Sequence, residues 1–206
     1  MPSVVVGAAS VLVLLQLPSG YSQNAREQVT TSSVPDKATQ RVNVKEYGAV
    51  GDGITDDTAA LNAALKALAD TGGVCSVPKG TYIISASGIT AAYKPAVSSN
   101  VRLVGEGRDV SVLKVSGMPK NHLLQCYGDN WSVENLTFDM EDYTPKVGLA
   151  AIACKGNNWR VANCAIVKSG RWGIAAFGGN NWTIEGNYIQ RTVPGARPPT
   201  GAIPTP

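Results

Sequence analysis

Charge is scarce in this chain: Asp, Glu, Lys and Arg make up 16% of its 206 residues, where an ordinary domain carries about a quarter. The net charge is +3 and no run of Lys or Arg occurs, so the electrostatic footprint of a nucleic-acid partner is missing. One histidine, His122, and four cysteines without a C-x-x-C pair exclude zinc-finger and zincin sites. The apolar run at residues 4–17 is short of the about 20 residues that span a bilayer. Residues 1–22 carry no charged side chain and break at Pro18-Ser19-Gly20, which reads as a signal peptide cleaved before Gln23. The expected location is therefore extracytoplasmic, secreted or periplasmic, with no membrane segment after cleavage.

Glycine is plentiful instead. Its 22 copies, with the low charge, point to frequent turns and an all-β fold. Residues 23–40 (QNAREQVTTSSVPDKATQ) are polar and aperiodic, and are expected to form a flexible lead-in. VNVKEYGAVGDG opens with alternating Val42 and Val44 and reads as a short strand followed by a glycine-rich loop. In ITDDTAALNAALKALADTGG, Ala60, Leu61, Ala64, Leu65 and Leu68 recur at helical spacing, and Gly72-Gly73 supply the stop. Thr55, Asp56 and Asp57 stand where side-chain oxygens can accept the helix's orphan N–H groups, so capping is the first role expected of these acids. VCSVPKGTYIIS reads as a strand, a Pro-Lys-Gly turn and a second strand.

An internal repeat decides the architecture. CYGDNWSVENLTF, CKGNNWRVANCAI and FGGNNWTIEGNYI align on Trp131, Trp159 and Trp182, spaced 28 and 23 residues apart. Around these tryptophans stand Gly128, Gly156 and Gly179, then Asn130, Asn158 and Asn181. Apolar columns follow: Val133, Val161, Ile184; Phe138, Ile166, Ile189; Cys126, Cys154, Phe177; Leu124, Ile152, Ala175. SNVRLVGEG is a degenerate earlier copy, with Asn100 and Leu103 in register. Each unit is too small to bury a face alone, shows period 2 rather than 3.6, and must stack. Stacking in parallel sets equivalent residues about 4.8 Å apart, with apolar columns inside and asparagines at the turns. The tryptophans are expected to pack, with an exposed sugar-stacking stripe as the alternative, and the cysteines to be reduced and buried.

The run VNVKEYGAVGDGITDDTAALNAALKALADTGGVCSVPKGTYII, residues 42–84, resembles the N-terminal signature of the pectate-lyase superfamily, through its GDG-x-x-DDT core, alanine-rich helix and V-P-x-G-x-Y strand. With the coils, the resemblance extends to about residue 190. It implies a single-stranded right-handed parallel β-helix whose N-terminal end is capped by the α-helix. It further implies a polysaccharide-active protein, with an acidic, uronate-containing polymer as substrate class and β-elimination or glycosidic hydrolysis as reaction. The family's hydrolase motifs Asn-Thr-Asp, Gly-Asp-Asp, Gly-His-Gly and Arg-Ile-Lys are absent, and Arg191-Thr-Val-Pro194-Gly-Ala-Arg197 is one residue too long for the lyase motif Arg-x-Pro-x-x-Arg. The resemblance therefore specifies the fold better than the reaction. A non-catalytic carbohydrate-binding or structural β-helix, such as an adhesin or tailspike, is the alternative.

Loops leaving one corner of successive coils form one surface, which directs attention to residues 139–146, 167–172 and 190–199. Lys168 and Arg191 each lie nine residues past a repeat tryptophan and are expected in one column. There they would attract a uronate carboxylate, with Lys168 as a base and Arg171 and Arg191 neutralising a developing enolate. Asp139 and Glu141, about 6.6 Å apart in extended chain, approach the carboxylate separation of an inverting hydrolase. With Asp142 they could instead hold Ca²⁺, the one cofactor the sequence suggests. Asp142 and Trp172 are expected to contact substrate, and His122 to be structural or a surface residue.

The chain closes on VPGARPPTGAIPTP, directly after a coil and without a capping element. An uncapped solenoid end exposes core and strand edges. The β-helix domain, residues 41–192, is therefore expected to be incomplete at its C-terminal end, residues 193–206 forming an irregular proline-rich tail of what reads as the N-terminal part of a longer protein. The sequence leaves the oligomeric state open.

Overall fold

The structure, a computed structural model, describes residues 40–85, 87–90, 99–117, 121–141, 149–169 and 172–191. The expected signal peptide, most of the lead-in and the proline-rich tail lie outside them. The chain climbs in coils. The first holds β1 (Arg41–Asn43), β2 (Asp52–Asp56) and helix α1 (Thr58–Ala67). The second holds β3 (Gly73–Val77), β4 (Gly80–Ile84) and β5 (Ile89–Thr90), and the third β6 (Val101–Gly105), β7 (Ser111–Val115) and β8 (Leu124–Tyr127). The fourth holds β9 (Ser132–Glu134), β10 (Thr137–Asp139) and β11 (Ala150–Lys155), and the fifth β12 (Arg160–Ala162), β13 (Ala165–Ser169) and β14 (Trp172–Ala176). Then come β15 (Thr183–Glu185) and β16 (Tyr188–Arg191).

The coils stack into three parallel sheets, ordered β1-β3-β6-β9-β12-β15, β2-β4-β7-β10-β13-β16 and β5-β8-β11-β14, with α1 in place of a third strand in the first coil. This is a right-handed parallel β-helix. Its interior is made of the columns the repeat announces: Val42, Cys75, Leu103, Val133, Val161 and Ile184 face inward along the first sheet. Tyr82, Leu113, Phe138, Ile166 and Ile189 do so along the second. All are buried except Ile184 and Ile189, on the last rung. Trp131 and Trp159 are buried, while Trp182 is half-exposed and stacks on Trp159 at 5.5 Å. Trp131 and Trp159 are thus core residues, as expected, whereas Trp182 on the last rung is not, and the four cysteines are free and buried.

In the third sheet the register differs from the sequence alignment: Ile152 pairs with Ile174 and Cys154 with Ala176, not with Ala175 and Phe177. One extra residue is taken up in the turn before Trp182, where Gly178 and Gly179 both adopt positive φ. The second glycine is required, because a Cβ there would sit 1.6 Å from the Gly156 carbonyl oxygen. Phe177 lies past the strand and is 45% exposed.

Asparagine builds the turns. Asn100, Asn130, Asn158 and Asn181 are all left-handed, at φ 62, 59, 56 and 57°. Each amide donates to the side-chain oxygen of the preceding one, at 2.7, 3.0 and 3.3 Å. This residue type tolerates that backbone, and its amide satisfies itself along the stack.

The signature segment is a lock between two motifs. α1 buries Leu61, Ala64 and Leu65 against the open end of the solenoid. Its start differs from expectation in one residue: Asp56 accepts the Thr58 N–H at 3.0 Å, but Asp57 turns back, accepting Val50 N–H at 2.6 Å and Gly51 N–H at 3.0 Å. The GDG segment, expected as a loop, runs into strand β2 and pairs with β4. Gly51 is left-handed, and a Cβ on it would lie 2.8 Å from the Tyr82 ring, so the first motif needs glycine because the second places a buried tyrosine. The Tyr82 hydroxyl donates to Pro78 O, and burial pushes its pKa up to about 12.

Candidate functional site

The second sheet ends each strand at one corner of the solenoid, and four charged side chains meet there. Lys114 on β7 is the register partner of Asp139 on β10. Lys168 on β13 places Nζ 3.1 Å from Asp139 Oδ2, and Lys114 Nζ lies 3.6 Å from Glu141 Oε1. Asp139 Oδ1 also accepts the Glu141 N–H at 3.0 Å, tying the two carboxylates into one turn. Asp139 is 17% exposed, whereas Lys168 and Glu141 stand at 43% and 50%.

Backbone conformation marks the same two residues. Among the described residues, the non-glycine positions of positive φ are asparagine or aspartate apart from Glu141 (φ 53°) and Lys168 (φ 56°). Holding such side chains left-handed costs about 1–3 kcal/mol each, a cost that concentrates at ligand-binding and catalytic positions. Lys168 owes its conformation to a β-bulge: Ile166 pairs with Ile189, but Arg191 pairs with Ser169. The expected common column of Lys168 and Arg191 is therefore offset by one residue, because the bulge inserts Lys168 between the paired positions.

The structure thus joins two groups that the sequence reading kept apart, the acids of one coil and the lysine of the next. Lys168 faces a carboxylate rather than a second cation, which removes the like-charge argument for a neutral lysine base. Asp139 and Glu141 each face an ammonium, which opposes a Ca²⁺ ion between them. Among the described residues no three His, Cys, Asp or Glu side chains gather as a metal site. Arg171 and Asp142 lie outside the described residues, as does the Arg191 side chain. Trp172 opens β14 opposite Ala150 on the last rung of the third sheet and is 40% exposed. His122 is structural: its Nδ1 accepts the Ala150 N–H at 2.8 Å, and burial lowers its pKa.

Two features escaped the sequence reading. Lys114 was one. The other is a charge ladder on the first sheet, where Glu134 takes Arg102 at 3.1 Å and Arg160 at 3.2 Å, and Arg160 takes Glu185 at 2.7 Å. Burial of Glu134 opposes its charge, yet the Ser132 hydroxyl and both arginines hold its carboxyl below the usual range. Its signal was present: Glu134 and Glu185 stand three residues past their tryptophans, and Arg160 one past Trp159.

Residues 41–127 match the family described as rhamnogalacturonase A/epimerase, pectate lyase-like. This match and the coil architecture agree with a pectin-lyase-like right-handed β-helix. The chain is 35% identical over 122 residues to mannuronan C5-epimerase AlgE1 of Azotobacter vinelandii, covering 57% of this chain and 8% of that protein. It is 33% identical over 153 residues to the SPbeta prophage-derived uncharacterized protein YomE of Bacillus subtilis, covering 71% of this chain and 23% of that one. The A-module of mannuronan C5-epimerase AlgE6 of Azotobacter vinelandii superposes with a TM-score of 0.55 at 20% identity, over 71% of this chain and 49% of that module. The chain therefore spans a small part of the length of the curated relatives it matches.

Proposed function

We propose that this β-helix acts on an acidic, uronate-containing polysaccharide in an extracytoplasmic compartment, with the corner of Lys114, Asp139, Glu141 and Lys168 as part of its substrate surface. The observation that carries the reading is that two strained charged residues, Glu141 and Lys168, are each ion-paired across rungs at the corner where successive coils present their loops. The sequence similarity to mannuronan C5-epimerases supports the substrate class. An ammonium has three donors; Lys168 spends one on Asp139, and Lys114 is ion-paired with Glu141 beyond hydrogen-bond distance, which leaves donors for a substrate carboxylate. Within this reading the chemistry starts at the carbon beside that carboxylate. A base takes the C5 proton while cations and N–H donors stabilise the enolate. Returning a proton to the opposite face gives the epimer; breaking the C4–O bond gives an unsaturated product.

Arg171, Arg191 and Lys168 as cations, and Asp139 or Glu141 as base, make up this proposal. The assay is incubation with polymannuronate, alginate and pectate in D₂O, read by proton NMR. Deuterium at C5 or an unsaturated end is the expected result. New reducing ends without deuterium would move the reaction to hydrolysis. A second reading, binding without turnover, is favoured by the neutralisation of both lysines by carboxylates. Saturable polymer binding with no change in the polymer would establish it.

A further inference from the structure

A second polar recess lies on the same corner, two rungs below. Its lining is Asp56, Thr58, Asn62, Lys66, Ser85 and Ser87, floored by the alanines of α1, and its volume is about 490 Å³. That falls within the roughly 300–1,000 Å³ of ligand pockets. Asn62 and Lys66 are one helical turn apart and so share a face of α1. Ser85 follows β4 just as Glu141 follows β10, and β4, β7, β10 and β13 are consecutive rungs of one sheet.

The hydroxyls in the recess form a chain rooted at a carboxylate. Thr58 Oγ lies 2.5 Å from Asp56 Oδ1 and 3.2 Å from Ser85 Oγ, and Ser85 Oγ lies 3.0 Å from Ser87 Oγ. Thr58 also accepts the Ser85 N–H at 2.7 Å. These bonds hold the Asp56 carboxyl below its usual range although burial works against them. Thr58 has one proton, and the nearer, charged partner takes it. The Ser85 proton is drawn toward the Asp56–Thr58 pair, and Ser87 then turns its own toward Ser85. Such a chain is polarised along its length, and it leaves the outer hydroxyl, Ser87, presenting lone pairs to the recess. Lys66 supplies a cation on the α1 wall of the recess. An acceptor and a cation lining one recess fit a ligand carrying both a hydroxyl donor and a carboxylate.

We infer that this recess is a subsite for one acidic sugar unit, with its carboxylate on Lys66 and a ring hydroxyl on Ser87, at one end of a chain that runs along the corner. The inference rests on the proposed substrate class. Rungs rise about 4.8 Å, close to the length of one sugar unit, so a short oligomer spans the distance from the recess to Asp139 and Lys168.

The test is titration of the isotope-labelled full chain with hexamannuronate, followed by amide NMR, for the parent and for Lys66→Met and Ser87→Ala. Thermal melting of each variant checks that it is folded. The expected result is shifts at Ala59, Ala63 and Ser87 together with shifts at 139–141 and 168, and affinity about tenfold weaker in Lys66→Met, equivalent to losing one well-placed contact. Shifts confined to 139–168, with affinity unchanged in both variants, would overturn the subsite and leave the proposed function standing. No shift anywhere with hexamannuronate or hexagalacturonate would overturn both.

Discussion

Lys168 sets its ammonium 3.1 Å from the carboxylate of Asp139, one rung below, although its own backbone has to turn left-handed to do so. The pair is partly exposed, so its contribution to stability is small, about 0–1 kcal/mol. A bulge kept for so little stability is better explained by what the corner binds.

Replacing each partner separates the roles. Lys168→Ala is expected to weaken polymannuronate binding about tenfold, the loss of one charge contact, with little change in melting temperature. Asp139→Asn releases Lys168 and is expected to strengthen binding. If Asp139→Asn weakens binding as much as Lys168→Ala, affinity at this corner depends on the carboxylate, and the reading in which Asp139 competes with substrate for Lys168 is wrong.

The asparagine ladder gives a stability prediction with an internal control. Asn158→Gly keeps the left-handed turn and loses two side-chain bonds, costing about 1–2 kcal/mol. Asn158→Ala adds the strain of a left-handed alanine, about 1 kcal/mol more. Urea denaturation of both variants checks the order; equal losses would show that backbone handedness is irrelevant there.

Asp57 is 1% exposed and accepts two backbone N–H groups of the GDG turn. Asp57→Ala removes the partner of both part-buried donors and is expected to cost about 1–3 kcal/mol. Amide exchange at Val50 and Gly51 should accelerate sharply. Slow exchange at both in the variant would mean that the turn is held by other contacts.

His122 should make stability depend on pH. Burial holds its folded pKa below the ordinary 6.5, so the unfolded chain binds more protons as pH falls. The stabilisation is present above about pH 6.5 and is lost as pH drops through the folded value, because a protonated Nδ1 cannot accept the Ala150 N–H. His122→Gln removes this segment of the pH profile. An unchanged slope between pH 7 and 5 in the variant would assign it to other groups.

Much of this was legible in the sequence for a physical reason. Parallel stacking with no offset converts a repeat into contacts, so Val133, Val161 and Ile184, or Asn130, Asn158 and Asn181, could be placed from spacing alone. Spacing failed where a residue was inserted without a change in pattern: the extra glycine before Trp182 moved Ala175 and Phe177 out of column, and the bulge at Lys168 displaced Arg191. The charged corner was found in its parts, but the Lys168–Asp139 and Lys114–Glu141 pairs join strands 29 and 27 residues apart. Side-chain reach across rungs has no periodic signal. The recess beside α1 was invisible because its residues come from the cap and a strand end, outside the repeat.

The most direct test of the central claim is the affinity of the full chain for polymannuronate beside a neutral β-1,3-glucan, measured by calorimetry at low and at high salt. Saturable binding to the uronate polymer alone, weakening as salt screens the exposed lysines, is the predicted result. Equal affinity for both polymers, or none for the acidic one at low salt, would contradict it.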